Sequence, residues 1–218
     1  MRGLLAQAEG LPEHNDLERR YFRVPHSTIT TTAELHDYCG QLATAERIAF
    51  DTEFVSEDTY RPQLCLIQVA TAKGLAVIDA LAIDDLTRFW ETLAAPGHET
   101  IVHAGREELR FSLQAIGQRP QGLFDVQLAA GLVGLEYPAA YRTLVTRLLG
   151  EHVPKGETRT DWRRRPLSDR QIEYALQDVV HLHDLCDELA ARLERLDRRA
   201  WLEEEMRAWE ERVEHAES

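Results

Sequence analysis

The sequence predicts an α/β fold, a mixed central β-sheet flanked by α-helices. Three features of the pattern point to it. Apolar, strand-like stretches follow one another closely at residues 48–54, 64–70 and 75–79, as in an antiparallel meander. Amphipathic helices then alternate with short strands as far as residue 125. Beyond that, only helical periods recur. With 218 residues and 44% hydrophobic content, the chain can bury one full core with helices attached.

Taken in order, residues 1–25 carry no clear period and read as an N-terminal arm. Thr31 and Glu34 form a capping-box pattern ahead of Leu35, Tyr38, Cys39 and Leu42, which recur at helical spacing. The strand at 48–54 follows. Residues 64–70 are almost continuously apolar, as expected of a strand covered on both faces. Gly74 turns the chain into the strand at 75–79. Leu86, Phe89, Trp90 and Leu93 give an amphipathic helix over 84–94. A strand at 100–104 leads into a helix at 106–116, and Leu123 and Phe124 make a short strand before Asp125. Helices are predicted at 126–134, 141–149 and 168–195, the last opened by a Ser168/Gln171 capping box. An acidic helix from about 198 to 214 reads as a solvated face. The expected organisation is an arm over 1–25, a main domain over 26–196, and a C-terminal acidic helix over 197–218 packed on it.

A formal net charge of −13 argues against a non-specific coat on nucleic acid, which needs basic excess. It leaves room for an enzyme that draws one nucleic-acid end into a metal-lined pocket, where the metal supplies local positive charge. No run of about 18 apolar residues exists, so no membrane partner is expected. Glu9, Glu13 and Asp16 interrupt the N-terminal apolar stretch, which makes it a poor signal peptide and favours a cytoplasmic location. Cys39, Cys65 and Cys186 lie far apart and read as small core residues, so no zinc site is expected.

The chemistry sits in three places. Asp51 and Glu53 are spaced i, i+2 at a strand end, so both point to one face. Two adjacent carboxylates repel, and a hard divalent cation with oxygen ligands is the simplest compensation. Read alone, the pair is equally a strand running out into solvent. Glu107 and Glu108 open the helix after the 100–104 strand. There the helix dipole favours acids, and open α/β sheets also place their sites there. Tyr174 and Asp178 are i and i+4 on a late helix, on a face apart from Ile172, Leu176, Val179, His183 and Cys186.

Together and in this order, the Asp51/Glu53 pair, the acid after His103-Ala104, and the Tyr174/Asp178 pair resemble the DEDDy 3′–5′ exonuclease superfamily, and within it ribonuclease D. The flanking text agrees at residues 64–68, 103–106, 124–132, 155–162, 165–168 and 173–179. The resemblance covers roughly residues 25–208. It implies a ribonuclease H-like mixed central β-sheet flanked by α-helices. It also implies hydrolysis of phosphodiester bonds at a free 3′ end, with single-stranded RNA the expected partner. Two Mg²⁺ or Mn²⁺ ions would be held by Asp51, Glu53, Glu108 and Asp178, with Asp51 bridging them. Tyr174 would orient the attacking water. Thr52, Phe54, His103, Lys155 and Arg159 are the implied substrate contacts, and Arg163, Arg164 and Arg165 extend the basic patch. The sequence departs from the family in two ways. Glu108 stands where the family has Asp, and the family's helical nucleic-acid-binding domains are not expected here, which favours short or unstructured substrates. A DNA exonuclease and a catalytically silent nucleic-acid-binding protein are the competing readings.

Overall fold

The structure, a computed structural model, describes residues 25–57, 61–154 and 160–217. Six strands form one sheet in the order β1-β4-β3-β2-β5-β6. These are β1 (His26–Ile29), β2 (Arg47–Val55), β3 (Gln63–Thr71), β4 (Gly74–Asp79), β5 (Glu99–Val102) and β6 (Leu123–Asp125). β2, β3 and β4 pair antiparallel, as the meander predicts. β1 runs parallel to β4, β5 parallel to β2, and β6 parallel to β5. The helices are α1 (Thr32–Leu42), α2 (Thr87–Ala94), α3 (Arg106–Ile116), α4 (Val126–Leu132), α5 (Tyr141–Leu144), α6 (Asp169–Gln177), α7 (Leu182–Arg195) and α8 (Arg199–Glu217). A single π-helical stretch, Val145–Leu149, continues α5.

The two faces of the sheet carry different helices. On one, Ile48, Phe50, Ile67, Val69 and Ile78 pack under α1 and α2. Phe50, Phe89 and Trp90 meet edge to face there, with centroids 5.0–6.2 Å apart. The other face holds two clusters. Ala49, Ala70, Ile101 and Phe124 lie under α4, α5, α7 and α8. Cys65, Leu66 and Val77 lie under α6 and Trp162.

Three elements differ from the sequence reading. β1 is an added edge strand that buries only Ile29, too little for an alternating pattern to register. The predicted helix over 168–195 is two helices. α6 buries Ala175 and Leu176 in one cluster, while α7 buries Leu182, Leu185, Cys186, Leu189 and Leu193 in the other. One straight helix cannot serve both, so the chain turns at 178–181 through short-range bonds from Asp178 N to Ala175 O and from Leu182 N to Val179 O. α8, in turn, is not wholly a solvated face. Leu202 and Met206 enter the core, and Glu210 and Glu217 pair with Arg119 at 2.8 Å and Arg110 at 2.5 Å.

Strand length positions the site. β2 pairs with β5 only from Arg47 to Ala49 and then continues to Val55. Its second half therefore extends past the carboxyl end of β5, where the chain turns into α3.

Candidate active site

Asp51 and Glu53 lie on that overhanging half of β2, on the face shared with Ala49 and covered by the α6–α7 turn. Asp178 is the C-cap of α6, in helical conformation at φ −79° and ψ −9°, so its i, i+4 relation to Tyr174 survives the helix end. Ser168 caps α6, with its hydroxyl accepting from Gln171 N at 3.2 Å and the Gln171 side chain returning to Ser168 N at 2.9 Å.

These acids act on one another electrostatically. Burial, then Glu108, Asp178 and Glu53 in turn, push the Asp51 carboxyl well above its ordinary range. Burial followed by repulsion from Asp178 and Glu108 pushes Glu53 up to about 8. Asp178 is pushed up to about 6 by burial, with Arg142 pulling the other way. The Tyr174 phenol is raised by burial and then by Asp178 and Glu53. Buried like charges favour the neutral form of each acid unless a cation joins them. Every donor in the group is a hard oxygen, which suits Mg²⁺ or Mn²⁺ and not a thiophilic metal. Among the described residues, no three His, Cys, Asp or Glu side chains form a ready-made metal cage. Mg²⁺ ordinarily keeps several waters and takes only one or two carboxylates plus substrate phosphate.

Glu108, in the first turn of α3, is only 5% exposed. Burial pushes it up to about 7, against the Thr52 hydroxyl, which donates to Oε1 at 2.6 Å. The sequence reading puts Thr52 on the substrate. In the structure its side chain is buried and its hydroxyl is engaged by Glu108.

The other sequence-derived contacts are placed as follows. Phe54 is half-buried and meets Phe111 edge to face at 5.7 Å, as part of the core beneath α3. His103 Nε2 donates to Ala139 O at 2.9 Å and its ring meets Tyr141 at 5.8 Å. Lys155 and Arg159 lie outside the described residues. Within the basic run, Arg163 and Arg164 pair with Asp161. Arg165 binds both oxygens of Asp79 at 2.6 Å and the carbonyl of Cys65 at 3.0 Å. It fastens the 162–168 segment to the sheet, and Trp162 on that segment stacks on Tyr174 at 6.2 Å.

Two residues escape the motif reading. Arg142 is a cation acting on both Asp178 and Tyr174. Asp125, buried at the end of β6, accepts from four main-chain N–H groups: Ala104 at 3.1 Å, Gly105 at 2.9 Å, Gln127 at 2.8 Å and Leu128 at 3.3 Å. It caps α4 and also ties down the turn that carries His103 and launches α3. That turn is tight. Ala104 has φ 54°, and a Cβ on Gly105 would come within 2.4 Å of Val102 Cγ2. In sequence, Asp125 looks like an ordinary helix cap.

Known proteins resemble this chain in sequence and in fold. Residues 26–194 match the family model described as 3′–5′ exonuclease. Ribonuclease D of Granulibacter bethesdensis is 42% identical over 186 residues, which cover 84% of this chain and 47% of that protein. The chain spans about half the length of the curated relatives it matches. The structure of Escherichia coli RNase D, an exoribonuclease involved in structured RNA processing, superposes with a TM-score of 0.83 at 35% identity, over 87% of this chain and 51% of that one. Brucella melitensis NrnC bound to pGG superposes with a TM-score of 0.72 at 25% identity, over 89% and 92%. The same protein with bound Mg²⁺ gives 0.67 at 24%, over 88% and 89%. The fold is the ribonuclease H-like mixed sheet flanked by helices, the matched family model spans most of it, and the chain belongs to the 3′–5′ exonuclease family.

Proposed function

We propose that the chain is a metal-dependent 3′–5′ exoribonuclease that removes nucleotides from the free 3′ end of single-stranded RNA, in the cytoplasm. The observation that carries this reading is that Asp51 and Glu53 are raised by burial and by repulsion from both Glu108 and Asp178, an arrangement that makes sense around hard cations. Short oligonucleotides are the favoured substrates, in keeping with the pGG bound by NrnC.

Asp51, Glu53, Glu108 and Asp178 would hold the Mg²⁺ or Mn²⁺ ions. Such ions, when bound, supply positive charge to the phosphate and leaving oxygen and make water acidic enough to ionise near neutral pH. The protein's own contributions are positional. Tyr174, braced by Trp162, presents its phenol beside Asp178 and Glu53, where it can orient a water for attack in line with the leaving oxygen. Its raised pKa keeps the phenolic hydrogen in place at neutral pH, so it acts as a hydrogen-bond partner. Thr52 holds the Glu108 carboxylate. Phe54, His103, Lys155 and Arg159 remain the proposed contacts to the terminal nucleotides.

The test uses 5′-labelled RNA and DNA oligomers with Mg²⁺ or Mn²⁺, with and without chelator. A ladder shortening from the 3′ end of RNA, abolished by chelator and reduced more than about 10²-fold in Asp51→Asn, is expected. Preference for DNA would move the substrate assignment, and binding without cleavage would leave a silent nucleic-acid-binding protein.

A further inference from the structure

Gln68 is a polar residue at the centre of the sheet and is 0% exposed. Among the described residues, neither its amide nitrogen nor its carbonyl oxygen has a hydrogen-bond partner. A buried carboxamide left unmatched is costly, so an apolar side chain would serve packing better. The register locates it. Gln68 stands directly opposite Asp51 across the β2–β3 pair and opposite Val77 across the β3–β4 pair. Its neighbours on the same face along β3 are Leu66 and Ala70, and the helices above contribute Ala175, Leu176 and Val179. In this ring of in-sheet neighbours, three are apolar and one is a carboxylate. Opposed residues in an antiparallel pair have Cβ atoms about 4.5–5.5 Å apart, within reach of a side chain as long as glutamine's.

We propose that Gln68 is a positioning residue for Asp51: the two side chains face each other across the β2–β3 pair without a hydrogen bond between them, and on cation binding the Gln68 Nε2–H group turns to donate to the Asp51 carboxylate and fixes it. The proposal rests on the exonuclease reading above. It gives the amide the one polar partner that the sheet offers. It also accounts for a glutamine where the strand is otherwise continuously apolar from Leu64 to Ala70. Groups that hold a metal ligand from behind typically change metal affinity or turnover about 10–100-fold when removed.

The test compares the parent protein with Gln68→Leu, of similar volume and without the amide, and with Gln68→Met should Leu not fold. Three readouts are taken: Mn²⁺ titration, thermal unfolding of chelated protein, and RNA cleavage at saturating Mn²⁺. The expected result is an unchanged or raised unfolding temperature with Mn²⁺ affinity or kcat reduced about 10–100-fold and KM for RNA unaltered. Mn²⁺ affinity and kcat within about twofold of the parent would overturn the proposal. So would a lower unfolding temperature with Mn²⁺ binding intact, which is the signature of a purely structural residue. If the parent itself neither binds Mn²⁺ nor cleaves RNA, the exonuclease reading falls and this proposal falls with it.

Discussion

Glu108 takes its support from a strand far away in the chain. Its carboxylate meets the end of β2 at Thr52, on the strand face opposite Asp51 and Glu53, whose hydroxyl donates to it at 2.6 Å. Removing that donor leaves a buried carboxylate without its neutral partner. Thr52→Val is therefore expected to cost about 1–3 kcal/mol in chemical denaturation. It should also lower RNA cleavage by at least about tenfold, since small misplacements of a catalytic group are expensive. Unchanged cleavage would show that Glu108 works without Thr52. Asp51, Glu53, Tyr174 and Asp178 were legible in the sequence because their pairing is local, two residues apart on a strand or four on a helix. The Thr52–Glu108 bond spans 56 residues and joins a side chain that alternation directs away from the acids, so nothing in the sequence announces it.

At the scale of elements, two joints matter. The first is the turn between β5 and α3, held by Asp125 from the neighbouring strand. Asp125→Ala would strand four main-chain N–H groups. It should destabilise the fold by at least about 1–3 kcal/mol and disturb both His103 and Glu108. Denaturant midpoints and cleavage rates should fall together in this variant. The second is the segment bearing Trp162, clamped by Arg165 on Asp79. Trp162→Ala removes a buried ring stacked on Tyr174 and should cost about 3–5 kcal/mol, with a loss of kcat beyond what the remaining folded fraction explains. The strands and most helices could be read from period and caps. The break between α6 and α7 could not, because the apolar spacing runs through it and only the positions of the two core clusters call for a turn.

At the scale of the whole molecule, buried acids in a chain of net charge −13 set a definite pH response. Glu53 has an ordinary value of 4.5 and about 8 in the fold, so the folded protein holds more protons than the unfolded chain between those limits. Stability therefore falls as pH rises from about 4.5 towards 8, with Glu108 contributing up to about 7 and Asp178 up to about 6 in the same sense. Chelated protein should show a declining unfolding temperature across this range, Glu53→Gln should flatten the decline, and Mn²⁺ should raise the curve most at its alkaline end. A flat profile in chelated parent protein would contradict the shared acidic pocket. Among the described residues no helix is long and apolar enough to cross a membrane.

The turn at 178–181 has one more effect. Because α6 is seated in one apolar cluster and α7 in another, the helices on either side of Asp178 have separate foundations. Substitutions beneath Tyr174 can shift the phenol while α7 stays put, and substitutions beneath α7 can do the reverse. Asp178, at the junction, belongs to both, and its placement registers any change in their relative settling.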